Sequence, residues 1–176
     1  MPTPNSPPAW LVVMGVSGCG KSSLGQALAA DLGLPLIEGD DFHPEANILK
    51  MRNGTPLTDE DRAGWLARLG EELAARHGGA VLTCSALKRS YRERLRGAVP
   101  QLRFVFMQIG RDEAVARVHA REAVHIFPAS LVDSQFQTLE SPEGESGVLT
   151  VQATAPLDRS VAQVRDWLPR APARIA

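Results

Sequence analysis

The sequence has 176 residues, of which 44% are apolar and 22% charged, and a formal net charge of −1. That length accommodates one domain around a single core, and the composition excludes a chain that is disordered throughout. The near-zero charge supplies no broad positive field for nucleic acid or an anionic membrane, so any anion must be captured by a local site.

Met1 to Ala9 is proline-rich and lacks the charged start and apolar centre of a secretory signal. Residues 1–9 are expected as a loose tail, ahead of one domain over 10–176. Trp10 to Met14 is a short apolar run that ends at a glycine, and is expected as the first strand. Lys21 to Asp31 has helical spacing, with Leu24, Ala27 and Leu28 on one side. Leu34 to Ile37 is expected as a second strand. Pro44 to Met51 is expected as a short helix, with Pro44 suited to its first turn. Thr58 and Asp61 are spaced as a capping box that starts a helix running to about Arg76.

A third strand is expected over Ala80 to Cys84, followed by a basic helix from about Lys88 to Gly97. Arg103 to Gln108 forms a fourth strand. Asp112 caps a helix to Arg121, and Ser130 with Asp133 is spaced as a second capping box for a helix to Glu140. Val148 to Gln152 is the fifth strand, and Leu157 to Leu168 the closing helix. Strands alternating with helices predict an α/β fold with a parallel sheet covered on both faces. Such sheets bind ligands beyond the carboxyl ends of their strands. No apolar run is long enough to span a bilayer. Two cysteines, Cys19 and Cys84, are too few for a disulfide framework, so a cytoplasmic setting is expected.

Gly15-Val16-Ser17-Gly18-Cys19-Gly20-Lys21-Ser22 matches the pattern G-x-x-x-x-G-K-[ST] in full, between a strand and a helix. Its glycines let the backbone wrap phosphates with inward N–H groups, and the helix N-terminus adds partial positive charge. Gly15 to Ser22, with Ser23 beside them, form the expected ATP-binding segment. Lys21 reaches the β- and γ-phosphates, and the Ser22 hydroxyl suits Mg²⁺. Nucleotide binding alone does not make a kinase. A GTPase would need an N-K-x-D segment, which the sequence lacks; Asp61-Arg62-Ala63-Gly64 matches D-x-x-G only within a helix start.

After the second strand comes Glu38-Gly39-Asp40-Asp41-Phe42-His43-Pro44. Asp40 and Asp41 suit two tasks: holding Mg²⁺ directly or through water, and taking the proton of an attacking hydroxyl. Neighbouring strand residues point to opposite sides, so one of the pair faces the site; Asp40 is the choice. His43 reads equally as a partner for a substrate hydroxyl or as a helix cap. Lys50 and Arg52 precede a Gly/Pro turn and suit an acceptor carboxylate. The third strand ends in Ser85 where a Walker B aspartate would stand, so Mg²⁺ relies on Ser22, water and a second-strand carboxylate. Lys88 and Arg92, four apart, share a helix face that suits a small anion. Arg117 and Arg121 have the same spacing and suit closure over ATP phosphates. From about residue 112 to 142 the chain reads as a lid that excludes water.

Together these segments resemble the gluconate kinase family among the shikimate-kinase-like P-loop kinases. The resemblance rests on Met14 to Ser22, Gly39-Asp40 with His43-Pro44, Asn47 with Lys50-Met51, and Gly54 with Pro56-Leu57. It continues through Asp59, Asp61-Arg62, Trp65-Leu66, Cys84 to Lys88 with Tyr91-Arg92, and Ser134-Gln135-Phe136 with Leu139-Glu140. It spans about residues 10 to 168. It implies a three-layer P-loop kinase fold with a five-stranded parallel sheet and a helical lid, ATP-dependent phosphorylation of the gluconate 6-hydroxyl, a Mg²⁺ requirement and a homodimer. The product would enter the pentose phosphate or Entner–Doudoroff routes. Lys21, Asp40, Arg117 and Arg121 would be catalytic, with Ser22 and Asp40 on the metal. Asp40, His43, Lys50, Arg52, Ser85, Lys88, Arg92 and Gln135 would surround the substrate. Val124-His125-Ile126-Phe127 departs from the family's glycine-histidine-aromatic lid run. The alternatives are a kinase for a related polyol acid or shikimate, and a nucleotide-dependent switch with no small acceptor.

Overall fold

The computed structural model describes residues 7–121 and 128–169. Five strands, β1 (Ala9–Met14), β2 (Leu36–Glu38), β3 (Gly79–Thr83), β4 (Arg103–Gln108) and β5 (Val148–Gln152), form one parallel sheet in the order β2-β3-β1-β4-β5. β1 sits at its centre, with Val13 opposite Thr83 on one side and Val105 on the other. Every residue of β3 is buried, which is why the strand reads as a continuous apolar run and not as an alternation.

Alternate residues of the strands serve two cores. Val12, Met14, Leu82, Phe104 and Phe106 meet α3 (Asp59–Ala74) and α4 (Arg89–Ala98) through Trp65, Leu66, Leu69, Tyr91 and Leu95. Leu11, Val13, Val81, Val105 and Met107 meet α1 (Lys21–Leu32) and α7 (Leu157–Trp167) through Leu24, Leu28 and Val164. The period of 2 along each strand thus becomes three layers, helix on sheet on helix. Trp10 donates its indole N–H to the carbonyls of Leu73 and Arg76, closing the end of α3.

The expected elements all occur, with four local corrections. Pro44 is the cap of α2 (Glu45–Arg52) and not part of its first turn. Asp40 and Asp41 lie in a 3₁₀ turn over Gly39–Phe42, so strand alternation does not govern them. α5 (Arg111–Arg121) starts one residue early: the Ala114 N–H reaches the Gly110 carbonyl, and Asp112 sits inside the first turn. The Ser130 and Asp133 capping box does not form. A 3₁₀ turn over Ala129–Leu131 leads into α6 (Val132–Thr138), and Asp133 accepts two hydrogen bonds from Arg111 at 2.5 and 3.0 Å. The capping box of Thr58 and Asp61 is present, with both reciprocal bonds.

One side chain ties the segment after α6 to the loop after β3. The Arg92 side chain is fully buried. Its guanidinium donates to the carbonyls of Ala86, Leu87 and Glu140 and grips both carboxylate oxygens of Glu145. Burial alone would raise the Glu145 carboxyl, but hydrogen bonds from Arg92 and Arg96 hold it below the usual range. All guanidinium donors are therefore engaged within the protein, and the anion-binding role expected of Arg92 is replaced by a structural one. Arg92→Met leaves Glu145 with Arg96 alone and removes the partner of the Ala86, Leu87 and Glu140 carbonyls, and is expected to cost about 3–5 kcal/mol of stability, as for other broken buried pairs. Urea unfolding reads this directly, and a loss below about 1 kcal/mol contradicts the assignment.

Candidate active site

All five strands are parallel, so the segments that follow them gather at one end of the sheet. β1 delivers the Gly-rich loop. Gly20 caps α1 with φ 96°, and the Cβ that any other residue would bring to Gly18 would lie 2.7 Å from the Ala114 carbonyl oxygen, because α5 packs directly on the loop. The Lys21 ammonium folds back on the Gly15 and Val16 carbonyls at 3.0 and 3.2 Å, along the loop's inner edge. The Gly15 N–H bonds to the Ser85 carbonyl at 3.3 Å, which joins the phosphate cradle to the loop after β3.

The carboxylate that meets the cradle is Glu38, the last residue of β2. Its Oε2 accepts from the Ser22 hydroxyl at 3.1 Å and from the Thr83 hydroxyl at 2.6 Å. Ser22 and Glu38 present hard oxygen donors side by side, a set that fits Mg²⁺ retaining much of its water shell. The Mg²⁺-side acid assigned from sequence was Asp40; the carboxylate hydrogen-bonded to Ser22 is Glu38. The signal for Glu38 was present, as an acid ending the second strand, but the adjacent aspartates drew the assignment.

Asp40 lies one residue beyond Gly39, and its side chain is 78% exposed. His43 stands behind it, 3.8 Å from Asp40 Oδ1 through Nε2. The imidazole stacks on Trp65 with centroids 4.0 Å apart, and Trp65 donates to the Gly39 carbonyl. The Asn47 amide nitrogen donates to the Asp61 carbonyl and faces His43 Nδ1 at 3.3 Å. Because that nitrogen is a donor, Nδ1 accepts, and the ring proton sits on Nε2, toward Asp40. Burial lowers the His43 pKa, partly offset by Asp40, so the ring is neutral near pH 7. His43 is therefore neither a helix cap nor an exposed substrate ligand. It backs Asp40.

The cations expected around an acceptor divide. Lys50 pairs with Asp61 at 2.8 Å, and Lys88 with Asp59 at 2.9 Å. Lys88 is the N-cap residue of α4 and is partly exposed, whereas Arg92 one turn on is buried, so the two do not form one open cationic face. Asp59 also accepts from the Tyr91 hydroxyl, and this bond, followed by that from Lys88, holds its carboxyl low. Arg52 is exposed at the end of α2. Arg62, part of the Asp61-Arg62 segment of the resemblance but with no role assigned from the sequence, bonds through Nη1 to the Leu57 carbonyl and the Tyr91 hydroxyl. Its guanidinium lies 5.4 Å from the Tyr91 ring centre. Burial pushes the Cys84 thiol at the end of β3 up to about 12, and Asp40, Lys21 and Arg62 all act on it electrostatically. All three therefore lie within electrostatic range of the end of β3.

On the nucleotide side, Arg117 bonds to Glu113 at 2.9 Å and reaches the Gly18 carbonyl at 3.5 Å and the Ala153 carbonyl at 3.4 Å. Arg121 is exposed one turn further on. Gln135 of α6, expected beside the acceptor, accepts the Ser17 N–H at 2.6 Å and so meets the phosphate cradle. Val124 to Phe127, with the lid histidine His125, lies outside the described residues. A broad cleft of about 1760 Å³ opens elsewhere, lined by Trp10, Leu34, Arg76, Arg103 and Leu168. It lies at the opposite ends of the strands from the Gly-rich loop, away from where open α/β sheets bind ligands.

Comparison with known proteins gives a consistent result. A family model described as an AAA domain matches residues 11–142. A gluconokinase of Gluconobacter oxydans is 51% identical over 148 residues, covering 82% of each chain. The crystal structure of a gluconokinase from Sinorhizobium meliloti is 46% identical with a TM-score of 0.80, covering 90% of this chain and 94% of that one. A sugar kinase from a Janibacter species is 39% identical with a TM-score of 0.87, covering 95% and 98%.

The start of α3 carries an acid-sensitive anchor. Hydrogen bonds from Lys50 and from the Thr58 backbone lower the Asp61 pKa to about 2. A lowered folded-state value means a contribution that is complete above the ordinary carboxylate pKa of roughly 4 and lost as the pH falls through about 2. Asp61→Asn is expected to flatten that part of the stability profile in thermal unfolding across acid pH. An unchanged acid slope in the variant contradicts the anchor.

Proposed function

We propose that this chain, which belongs to the gluconokinase family of AAA-type P-loop domains, transfers the γ-phosphoryl group of ATP to the 6-hydroxyl of D-gluconate, giving 6-phosphogluconate and ADP. The observation that carries the reading is the bond from the Gly15 N–H to the Ser85 carbonyl, which sets the Gly-rich loop beside the loop after β3 and the cluster of Lys88, Asp59, Tyr91 and Arg62 that follows it. A switch would need the cradle alone; acids and cations clustered next to it suit an acceptor with hydroxyls and a carboxylate.

In this reading Gly15 to Ser23 bind ATP, with the backbone N–H groups and Lys21 on the phosphates. Ser22 and Glu38 would hold Mg²⁺, which would offset phosphate charge during transfer. Arg62, with Arg52, takes the gluconate carboxylate by planar hydrogen bonding. Lys50 and Lys88, already paired with Asp61 and Asp59, fix the acceptor wall and offer remaining donors to sugar hydroxyls. Ser85 borders both substrates through its carbonyl bond to Gly15. Asp40 accepts the proton of the 6-hydroxyl as its oxygen bonds to the γ-phosphorus. The bond from that phosphorus to the bridging oxygen breaks, and ADP leaves with the electron pair. Neutral His43 lies behind Asp40, with Nε2 3.8 Å from the carboxylate. Arg117 and Arg121 move over the phosphates and stabilise the transferred charge.

The finer expectations go with this reading: Mg²⁺ as the partner of ATP, a homodimer, a cytoplasmic setting, a lid spanning about 112–142, and a product consumed by sugar-acid breakdown. Among the described residues no helix is long and apolar enough to cross a membrane. Carbon-13 and phosphorus-31 spectra of the product test the reaction. They are expected to show a phosphomonoester on the terminal methylene of gluconate, and phosphate at another position or on no sugar acid contradicts it. Asp40→Ala is expected to lower kcat by about 10²–10⁴, the usual range for a general base, with ATP affinity retained. An unchanged kcat removes Asp40 from the role.

A further inference from the structure

Gln135 and Ser17 lie 118 residues apart, yet the side-chain amide of one takes the backbone N–H of the other at 2.6 Å. The contact does not come from a loosely placed surface residue. α6 and the 3₁₀ turn before it are anchored by the buried Leu131 and Val132, by Phe136 packed against the core, and by the Arg111 pair with Asp133. α5, which begins at Arg111, is itself packed on Gly18. Gln135 therefore has a fixed approach to the Gly-rich loop.

The position of Ser17 in that loop identifies what shares its N–H. The N-terminus of α1, at Gly20 to Ser22, is the anchor for the inner phosphates. Lys21, which serves the β- and γ-phosphates, lies along the Gly15 and Val16 carbonyls, immediately before Ser17. The Gly15 N–H in turn contacts the acceptor-side Ser85. Ser17 is thus on the edge of the cradle nearest the acceptor, where the terminal phosphoryl group must lie if it is to be transferred. A phosphoryl oxygen and the Gln135 carbonyl are both acceptors and compete for that N–H. Glutamine resolves the competition as no carboxylate can, because turning the terminal amide exchanges Oε1 for a nitrogen with two donors, and this torsion is soft and roughly two-fold.

We propose that Gln135 is a γ-phosphate ligand: its amide turns as ATP arrives, giving the Ser17 N–H to a terminal phosphoryl oxygen and donating its own N–H to the same group. It then helps hold the group that moves, and it lets the protein distinguish ATP from ADP. This deepens the phosphotransfer reading given above and rests on it, but the test uses nucleotides without any acceptor, so an error in the acceptor leaves the test intact.

The test is titration calorimetry of Mg²⁺-ATP and Mg²⁺-ADP against the wild-type protein, Gln135→Glu and Gln135→Met. A glutamate takes the Ser17 N–H more strongly, has no donor to offer, and sets like charges together. Gln135→Glu is expected to weaken ATP by about tenfold or more while ADP changes by less than about twofold. Gln135→Met, close in shape but without the donor, is expected to narrow the ATP-to-ADP preference without the added repulsion, and retained ADP binding confirms that the cradle is folded. Equal weakening of both nucleotides in both variants assigns Gln135 a merely structural part and overturns the proposal. So does an unchanged preference for ATP.

Discussion

The parallel pairing of β3 with its two neighbours is the constraint on which the site depends. Its register sets Val13 opposite Thr83 and Thr83 opposite Glu38. Three strands therefore end level, and one hydrogen bond from Gly15 to Ser85 suffices to join a phosphate cradle to an acceptor wall. Thr83 repeats the linkage with its side chain, donating to Glu38 at 2.6 Å and accepting the Gly39 N–H at 3.3 Å. The fit is tight: a Cβ at Gly39 would lie 2.1 Å from the Thr83 carbonyl oxygen. A shift of one residue in this pairing would turn alternate side chains to the other face and separate Glu38 from Ser22.

Beyond β3 the chain makes a turn that few residues accept. Ala86 has φ 47°, the only positive value among the described non-glycine residues, and it is buried. Such a conformation costs on the order of 1–3 kcal/mol and persists where surroundings impose it. Arg92 is the surrounding group that does so. It holds the Ala86 and Leu87 carbonyls while its other donors grip Glu140 and Glu145. The Glu140 N–H returns the contact to the Leu87 carbonyl at 2.8 Å. The loop that carries Ser85 and Lys88 and the segment that follows α6 are thus one fastened unit, which places the acceptor wall and Gln135 on a shared support.

Much of this was legible in the sequence because it is written in local rules. The strand–loop–helix of residues 10 to 31 follows from an apolar run, three glycines and helical spacing, and Thr58 with Asp61 forms the capping box that its spacing predicts. What was missed depends on which residues face each other across the fold. Glu38 was hidden beside two more conspicuous aspartates, and only the register with Thr83 shows that it is the acid next to Ser22. Arg92 looked like half of a cationic face, because spacing reveals a shared helix side but not whether that side is buried. Gln135 matched a family segment, yet its partner lies 118 residues away and no periodicity reports such a contact. Asp133 had the spacing of a cap, but Arg111 took its carboxylate first.

The central claim is that cradle and acceptor wall act as one device, so that nucleotide cleavage waits for a particular hydroxy acid. ADP release with Mg²⁺-ATP tests this most directly, followed with gluconate, its epimers, shikimate and no acceptor. Release is expected with gluconate, and only background release with the others. Release at the same rate whether or not a sugar acid is present would contradict it.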